Sequence, residues 1–333
     1  MSRRADVLAA LRDAAAAGVS GEALAGRFLV SRAAVGKHVA ALRELGYDIA
    51  AVPGSGYRLV SAPELPLPDE VAGLVREPLW RRFEGGIATD STNDDAKVLA
   101  RAGAEAGTVV LAARQRAGRG RLGRTWESPH GGLYLSAILR PDVGIADISP
   151  LSLVAGIGVA RALERLGADT GLKWPNDVWS AAGGKIAGIL LEVSAEADRV
   201  EWVVAGIGIN ISAPDGRADG AAYLDEIAPV ETDDPMGPPG APPRLARVAA
   251  IVLDGVAGVV SEWESGGFAS LLGEYERRSV LTGRDVTVRD AGGQVRASGT
   301  VRGTDASGRL LVATASGEVA VPAGDVTLRE PGD

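Results

Sequence analysis

Residues 178–193 read VWSAAGGKIAGILLEV. Two β-prone runs, one ending near Ser180 and one from Ile186 to Val193, flank Ala181-Ala182-Gly183-Gly184, which is a hairpin signal. Parallel neighbours would need a crossover of roughly a dozen residues or more. A hairpin inside a chain whose other strands alternate with helices predicts a mixed sheet, hence α+β rather than doubly wound. Thr108 to Ala113, Leu133 to Leu139 and Trp202 to Ile209 read as further strands. Asn93 to Ala102 reads as a helix, with Asp94 and Asp95 in the first turn, where the dipole favours acids, and Gly103 past its end. Leu151 to Leu166 reads as a second helix, stopped by Gly167.

The chain has 333 residues, enough for two or three domains, and its 46% hydrophobic and 23% charged content is that of a globular protein. It has no cysteine, which excludes disulfides, thiolate metal sites and cysteine nucleophiles. His38 and His130 are the two histidines, so a His-rich metal site is excluded and a Ser-His-Asp triad disfavoured. No apolar run approaches the roughly 20 residues of a membrane span. Met1 to Ala5 lacks a signal-peptide pattern, and a soluble, cytoplasmic protein is expected. Its chemistry must run on Arg, Lys, Asp, Asn and backbone.

Charge is unevenly placed. Residues 1–63 carry eight Lys+Arg against five Asp+Glu, a net +3, so the remainder carries −11 of the total −8. In that basic segment, 5–17 places Val7, Leu8 and Leu11 on one helical face. Ser20 is the expected N-cap of a second helix with Leu24 and Phe28, and Ser31 that of a third with Val35, Val39 and Leu42 at i, i+4, i+7. The third helix leaves Arg32, Lys37, His38 and Arg43 for its outer surface. Two short β-prone runs then flank Pro53-Gly54-Ser55-Gly56. Three short helices and a hairpin describe a winged helix-turn-helix, whose third helix would enter a major groove while the wing touches backbone. Ser20, Ser31, Arg32, Lys37, His38 and Arg58 are the candidate DNA contacts; the plainer reading is a helical protein-contact module.

Residues 61–68, SAPELPLP, have three prolines and read as an extended linker. Residues 213–243 read as a mobile surface loop, with five prolines between 235 and 243. From about 280, short alternating runs (Val286–Val288, Val295–Val301, Leu310–Ala313, Val319–Val321) separated by Gly-containing turns predict a small SH3-like β-barrel. The expected organisation is therefore 1–63, 64–279 and 280–333.

Chemistry concentrates in Arg114 to Arg124, RQRAGRGRLGR, with five arginines in eleven residues and no acid. Gly118-x-Gly120-x-x-Gly123 formally matches a dinucleotide fingerprint, but no helix pattern follows it, so the required context is missing. Without that context, a Gly-rich cationic loop suits closure over an anionic ligand; a solvated basic loop is the bland alternative. Asp90-Ser-Thr-Asn93 opens a helix whose hydroxyls and N–H groups can receive a polar head. Lys173-Trp-Pro-Asn-Asp177 and Lys185-Ile-Ala-Gly188 hold two of the chain's four lysines.

These residues resemble the biotin–protein ligase family, and the first module resembles that of its bifunctional biotin operon repressors. The resemblance rests on SRAAVGKH, VPGSGYRL, DSTN, QRAGRGRLGRTW, LKWPNDV, GGKIAGILLE and GIGIN, in order over nearly the whole chain. It implies a winged helix-turn-helix, a ligase-type α+β catalytic domain with a mixed sheet, and an SH3-like C-terminal domain. It also implies a two-step reaction. Biotin is activated by ATP with Mg²⁺ to biotinyl-5′-AMP, and biotin is then passed to a lysine of a biotin carboxyl carrier protein.

By motif, Ser91, Thr92, Asn93, Gln115, Gly118, Arg119, Gly120, Arg121 and Lys185 are expected at biotin. Arg119 and Arg121 would cover the acyl-phosphate, and Lys185 would stand between carboxylate and α-phosphate. Arg124, Trp126, Lys173, Asn176, Asn210 and Arg329 are expected at ATP or the adenylate. Asp177 is expected as a base toward the acceptor lysine or as a Mg²⁺ ligand. The resemblance further implies operator DNA and an adenylate-promoted homodimer as partners. The alternatives are a biotin-sensing regulator without turnover, and a lipoate–protein ligase.

Overall fold

The computed structural model describes residues 3–214, 216–228 and 243–328. Helices α1 (Arg3–Ala14), α2 (Gly21–Phe28) and α3 (Arg32–Glu44) are followed by the antiparallel hairpin β1 (Asp48–Val52) and β2 (Gly56–Ser61). Ser20 and Ser31 cap α2 and α3, each hydroxyl accepting an N–H three residues on. Val7, Leu8, Leu11, Leu24, Val35, Val39 and Leu42 meet in one core, as their helical spacing requires.

The segment read as an extended linker is packed. Leu67 belongs to the first core, and α4 (Pro68–Ala72) follows at once with Val71 in the central core. Asp69 and Glu70 of α4 are buried and ion-paired with Arg4 and Arg12 of α1. Prolines here set a sharp path rather than a loose tether, because the apolar residues between them have cores to enter.

The central domain comprises β3 (Arg82–Thr89), α5 (Thr92–Arg101), β4 (Thr108–Gln115), β5 (Gly132–Leu139), α6 (Leu151–Arg165), β6 (Thr170–Lys173), β7 (Asp177–Ser180), β8 (Lys185–Glu196), β9 (Arg199–Asn210), α7 (Leu224–Ile227), α8 (Arg244–Gly266) and α9 (Leu272–Arg278). Its seven strands lie in the order β3-β4-β5-β9-β8-β7-β6. Only β3 and β4 are parallel, so the sheet is mixed. Both faces are covered. Along β4, Val109 and Leu111 enter the core with α6 and α8, while Val110 joins Ala96 and Ala100 of α5 on the other side.

Within 213–243, the part read as a surface loop is instead structured where described. Ala222, Tyr223 and Leu224 are buried, Lys185 N–H donates to Gly220 C=O at 2.7 Å, and Ala222 N–H donates to Lys185 C=O at 2.9 Å. Residues 229–242 lie outside the described residues. Strands β10 (Asp285–Arg289), β11 (Val295–Thr304), β12 (Leu310–Thr314), β13 (Gly317–Val321) and β14 (Asp325–Leu328) form an antiparallel sheet in the order β13-β12-β11-β10-β14. Its buried side chains are continuous with the central core, and Trp174 Nε1 donates to Gly308 C=O at 2.9 Å.

Candidate active site

The parallel register of β3 and β4 sets Thr89 opposite Gln115, bringing the Asp90–Asn93 motif beside the Arg/Gly loop. Ser91, Thr92 and Asn93 are buried at the start of α5. Thr92 donates from its backbone N–H to Gln115 Oε1 at 2.8 Å, and Gln115 Nε2 donates to Ser128 Oγ at 2.9 Å. Ser136 Oγ donates to Asn93 Oδ1 at 2.6 Å, and Asn93 Nδ2 donates to Glu192 Oε2 at 2.9 Å. A buried polar network this complete is held in one arrangement, which suits fixed recognition of a polar head.

The opposite wall is the β6–β7–β8 antiparallel run. Lys173 pairs with Asp177 across β6 and β7, and Lys185 opens β8. Lys185 Nζ lies 2.6 Å from Asp177 Oδ1 and 5.1 Å from the Trp126 ring centroid. Lys173 Nζ lies 4.4 Å from the Trp179 ring centroid, and burial pushes its pKa down. Asn176 Nδ2 donates to Ile189 C=O at 2.8 Å, and Arg121 Nη1 donates to Asn176 Oδ1 at 3.3 Å. Burial lowers the Arg121 pKa, opposed by Asp325 and Asp177; the group stays a cation facing this wall. Arg124 reaches Asp325 of β14 at 2.5 Å.

Glycines make the floor. A Cβ on Gly206 would lie 2.0 Å from Asn93 Oδ1, and one on Gly208 would lie 2.6 Å from Trp126. Side chains at either position would fill the space that the network and the indole occupy. Trp126 Nε1 is buried with no hydrogen-bond partner, an unspent donor beside the cavity.

These groups line a cavity of about 490 Å³. Of the residues expected at biotin or the reacting centre, it gathers Ser91, Thr92, Asn93, Gln115, Arg119, Gly120, Arg121, Asp177 and Lys185. Of those expected at the nucleotide, it takes Arg124, Trp126, Lys173 and Asn176. A second cavity of about 310 Å³, walled by Tyr134, Asn210, Ser212 and Tyr223, shares Trp126 and Lys185 with the first.

Three expectations are met differently. Asn210 lines the second cavity and donates to Lys185 C=O at 3.0 Å. Gly118 is packed against Trp126 C=O and Ser128 rather than lining the cavity. The Arg119 guanidinium, expected over an acyl-phosphate, lies on Asp94 and Glu192. Arg329 is outside the described residues. For the Mg²⁺ expectation, Asp177 is engaged by Lys185, and among the described residues no three His, Cys, Asp or Glu side chains gather to hold a metal. Reading the sequence alone missed Ser128, Ser136, Glu192 and the floor glycines. The Gly206-x-Gly208 alternation was the available signal for the last.

On the first module, Arg32, Lys37 and Arg58 are exposed and His38 is half-buried. The Ser20 and Ser31 hydroxyls cap helices. Arg43 is exposed, as expected, and donates from Nε to Ile49 C=O at 3.0 Å.

Three family models match: an HTH domain over 3–58, the biotin/lipoate A/B protein ligase family over 85–210, and the biotin protein ligase C-terminal domain over 282–329. The chain is 32% identical to the bifunctional ligase/repressor BirA of Escherichia coli, over 88% of this chain and 87% of that one. It is 36% identical to the biotin–[acetyl-CoA-carboxylase] ligase of Mycobacterium tuberculosis, over 74% and 89%. Among solved structures, the biotin protein ligase of Aquifex aeolicus in complex with biotin and ATP superposes with a TM-score of 0.61 at 28% identity. That match covers 76% of this chain and all of the other.

Proposed function

The chain belongs to the biotin–protein ligase family, with the domain set of the bifunctional ligase/repressors, and from that premise we propose how its residues carry the two steps. The observation that carries the reading is Lys185: its ammonium stands where the two cavities meet, paired with Asp177 and over Trp126. Biotin occupies the first cavity, with its head in the Ser91–Gln115 network, and the nucleotide base takes the second, beside Asn210 and Tyr223.

In the first step a biotin carboxylate oxygen attacks the α-phosphorus of ATP, and the bond to pyrophosphate breaks. Two anions must approach, and Lys185 with Arg121 lowers that repulsion. One preorganised contact of this kind is worth about 3–4 kcal/mol. When bound, Mg²⁺ would supply charge neutralisation of the phosphates, and Asp177 is the residue of this wall that would hold it.

In the second step the ε-amine of an acceptor lysine attacks the mixed-anhydride carbonyl and AMP leaves. Asp177 accepts the amine's proton, a useful role because a free lysine of pKa about 10.4 is nearly all ammonium at neutral pH. The acceptor is a biotin carboxyl carrier protein. The Arg/Gly loop excludes water from the anhydride.

The winged helix-turn-helix binds operator DNA through Arg32, Lys37 and Arg58, with the chain's own adenylate as corepressor. Since one such module covers one half-site, the repressing species is a homodimer. The setting is cytoplasmic; among the described residues no helix is long and apolar enough to cross a membrane.

The test is pyrophosphate release on mixing protein, biotin, ATP and Mg²⁺. The expected result is release by the wild type and a loss of about 10²–10³-fold in Lys185→Ala. No release by the wild type favours a regulator that only senses biotin. An Asp177→Asn enzyme that transfers normally from preformed adenylate removes the base assignment.

A further inference from the structure

Glu192 lies in the LLE run that ends the GGKIAGILLE motif, and the two reaction steps leave it without a role. Its carboxylate is nonetheless a hub. It accepts Lys97 Nζ at 2.7 Å, Asn93 Nδ2 at 2.9 Å, and Arg119 Nη2 at 2.9 and 3.2 Å. Arg119 Nη2 also donates to Asp94 Oδ1 at 2.6 Å, and Lys97 Nζ lies 2.9 Å from that same oxygen. Two acids and two bases, drawn from α5, β8 and the Arg/Gly loop, thus form one closed cluster on the cavity rim.

The loop's arginines are divided by this arrangement. Within the loop, Gly120 N–H donates to Arg124 C=O at 2.7 Å and Trp126 N–H to Gly118 C=O at 3.0 Å, so the backbone folds on itself. Arg121 faces Asn176 across the cavity. The Arg119 charge is already answered by two carboxylates held on a helix and a strand, which leaves it little to offer an anionic ligand.

We propose that Glu192 is a positioning residue: with Asp94 it clasps Arg119 and so holds the Arg/Gly loop down over the biotin end of the cavity. The clasp acts on how often the loop opens, not on the reacting atoms. Its side chains are partly exposed, about 25% for Glu192 and 39% for Arg119, so it is reversible rather than a lock. This rests on the ligase reading above.

The experiment is steady-state pyrophosphate release at varied biotin for the wild type, Glu192→Gln, Arg119→Gln and the double variant. Glu192→Gln keeps the shape and a neutral acceptor for Asn93, but loses the charge that holds Arg119. The expected result is a rise of about five-fold in the KM for biotin in each single variant, the size a half-exposed charge-assisted pair supports, with kcat unchanged. The double variant is expected to match the singles, because Glu192 acts through Arg119. Arg119→Gln lies on the exposed loop, which keeps the test sound should Glu192→Gln disturb α5. An unchanged KM in Arg119→Gln overturns the proposal. So does a hundred-fold loss of kcat there, since that would put Arg119 on the reacting phosphate. Fully multiplicative effects in the double variant also overturn it. A wild type that releases no pyrophosphate would instead defeat the ligase reading, a separate outcome.

Discussion

Two places in this molecule set a pair of acids against two bases. At the junction between the winged helix and the central domain, Asp69 and Glu70 of α4 meet Arg4 and Arg12 of α1, and Tyr47 donates to Glu70 at 2.7 Å. On the cavity rim, Asp94 and Glu192 meet Lys97 and Arg119. The chemistry is the same and the surroundings are not. The Asp69 and Glu70 side chains are 6% and 2% exposed, against 49% and 25% for Asp94 and Glu192. A buried pair cannot be opened without leaving a charge in a low dielectric, so the junction is a lock between domains. A rim pair can exchange its partner for water, so it can hold a loop that must open for ligand.

The largest expected effect tests the lock. Glu70→Ala removes the buried carboxylate that pairs with Arg12 and accepts from Tyr47, and is expected to lower stability by about 3–5 kcal/mol, read as a shift of the urea midpoint. A loss as small as a surface substitution would break the contrast. Tyr47→Phe removes one hydrogen bond to the carboxylate and is expected to lower stability by about 1.5–3 kcal/mol in the same measurement.

Acidity sharpens the contrast further. Burial raises the Glu70 pKa, with Arg12 and the Tyr47 hydroxyl pulling the other way. A raised carboxyl pKa means the folded state binds the proton more tightly than the unfolded chain. The group's favourable contribution is therefore complete below the unfolded value and declines as pH rises through the folded one. The stability difference between wild type and Glu70→Gln is expected to move against the wild type as pH climbs from the ordinary carboxyl range; a flat difference would contradict the burial argument. The smallest effect belongs to the loop's outer edge. Arg116 pairs with Asp90 at 2.7 Å with both side chains over 60% exposed, and Arg116→Gln is expected to change stability by less than about 0.5 kcal/mol.

Much of the architecture was legible in the chain. Continuous β-prone runs marked β4, β5, β8 and β9, the Ala181–Gly184 turn marked the hairpin, and Ser20 and Ser31 marked helix starts. The cavity's cationic wall was visible as well, because five arginines within eleven residues and two lysines within thirteen are local facts. The path of 61–68 was not, since proline signals a bend or an extended piece without saying whether a core lies beside it. Residues 216–228 looked like loop because their packing partner is Lys185, distant in sequence.

Short-range pattern in the sequence was enough to determine the kinds of element, their order and the supply of charge, because strand and helix periodicities depend on a few neighbouring residues. Only the tertiary structure decided which charge meets which. Arg119 and Glu192 stand 73 positions apart, and Arg12 and Glu70 58 apart. Whether such a pair forms, and whether it is a lock or a clasp, depends on distance in space and on how much water remains around it, and neither is a property of a local stretch of chain.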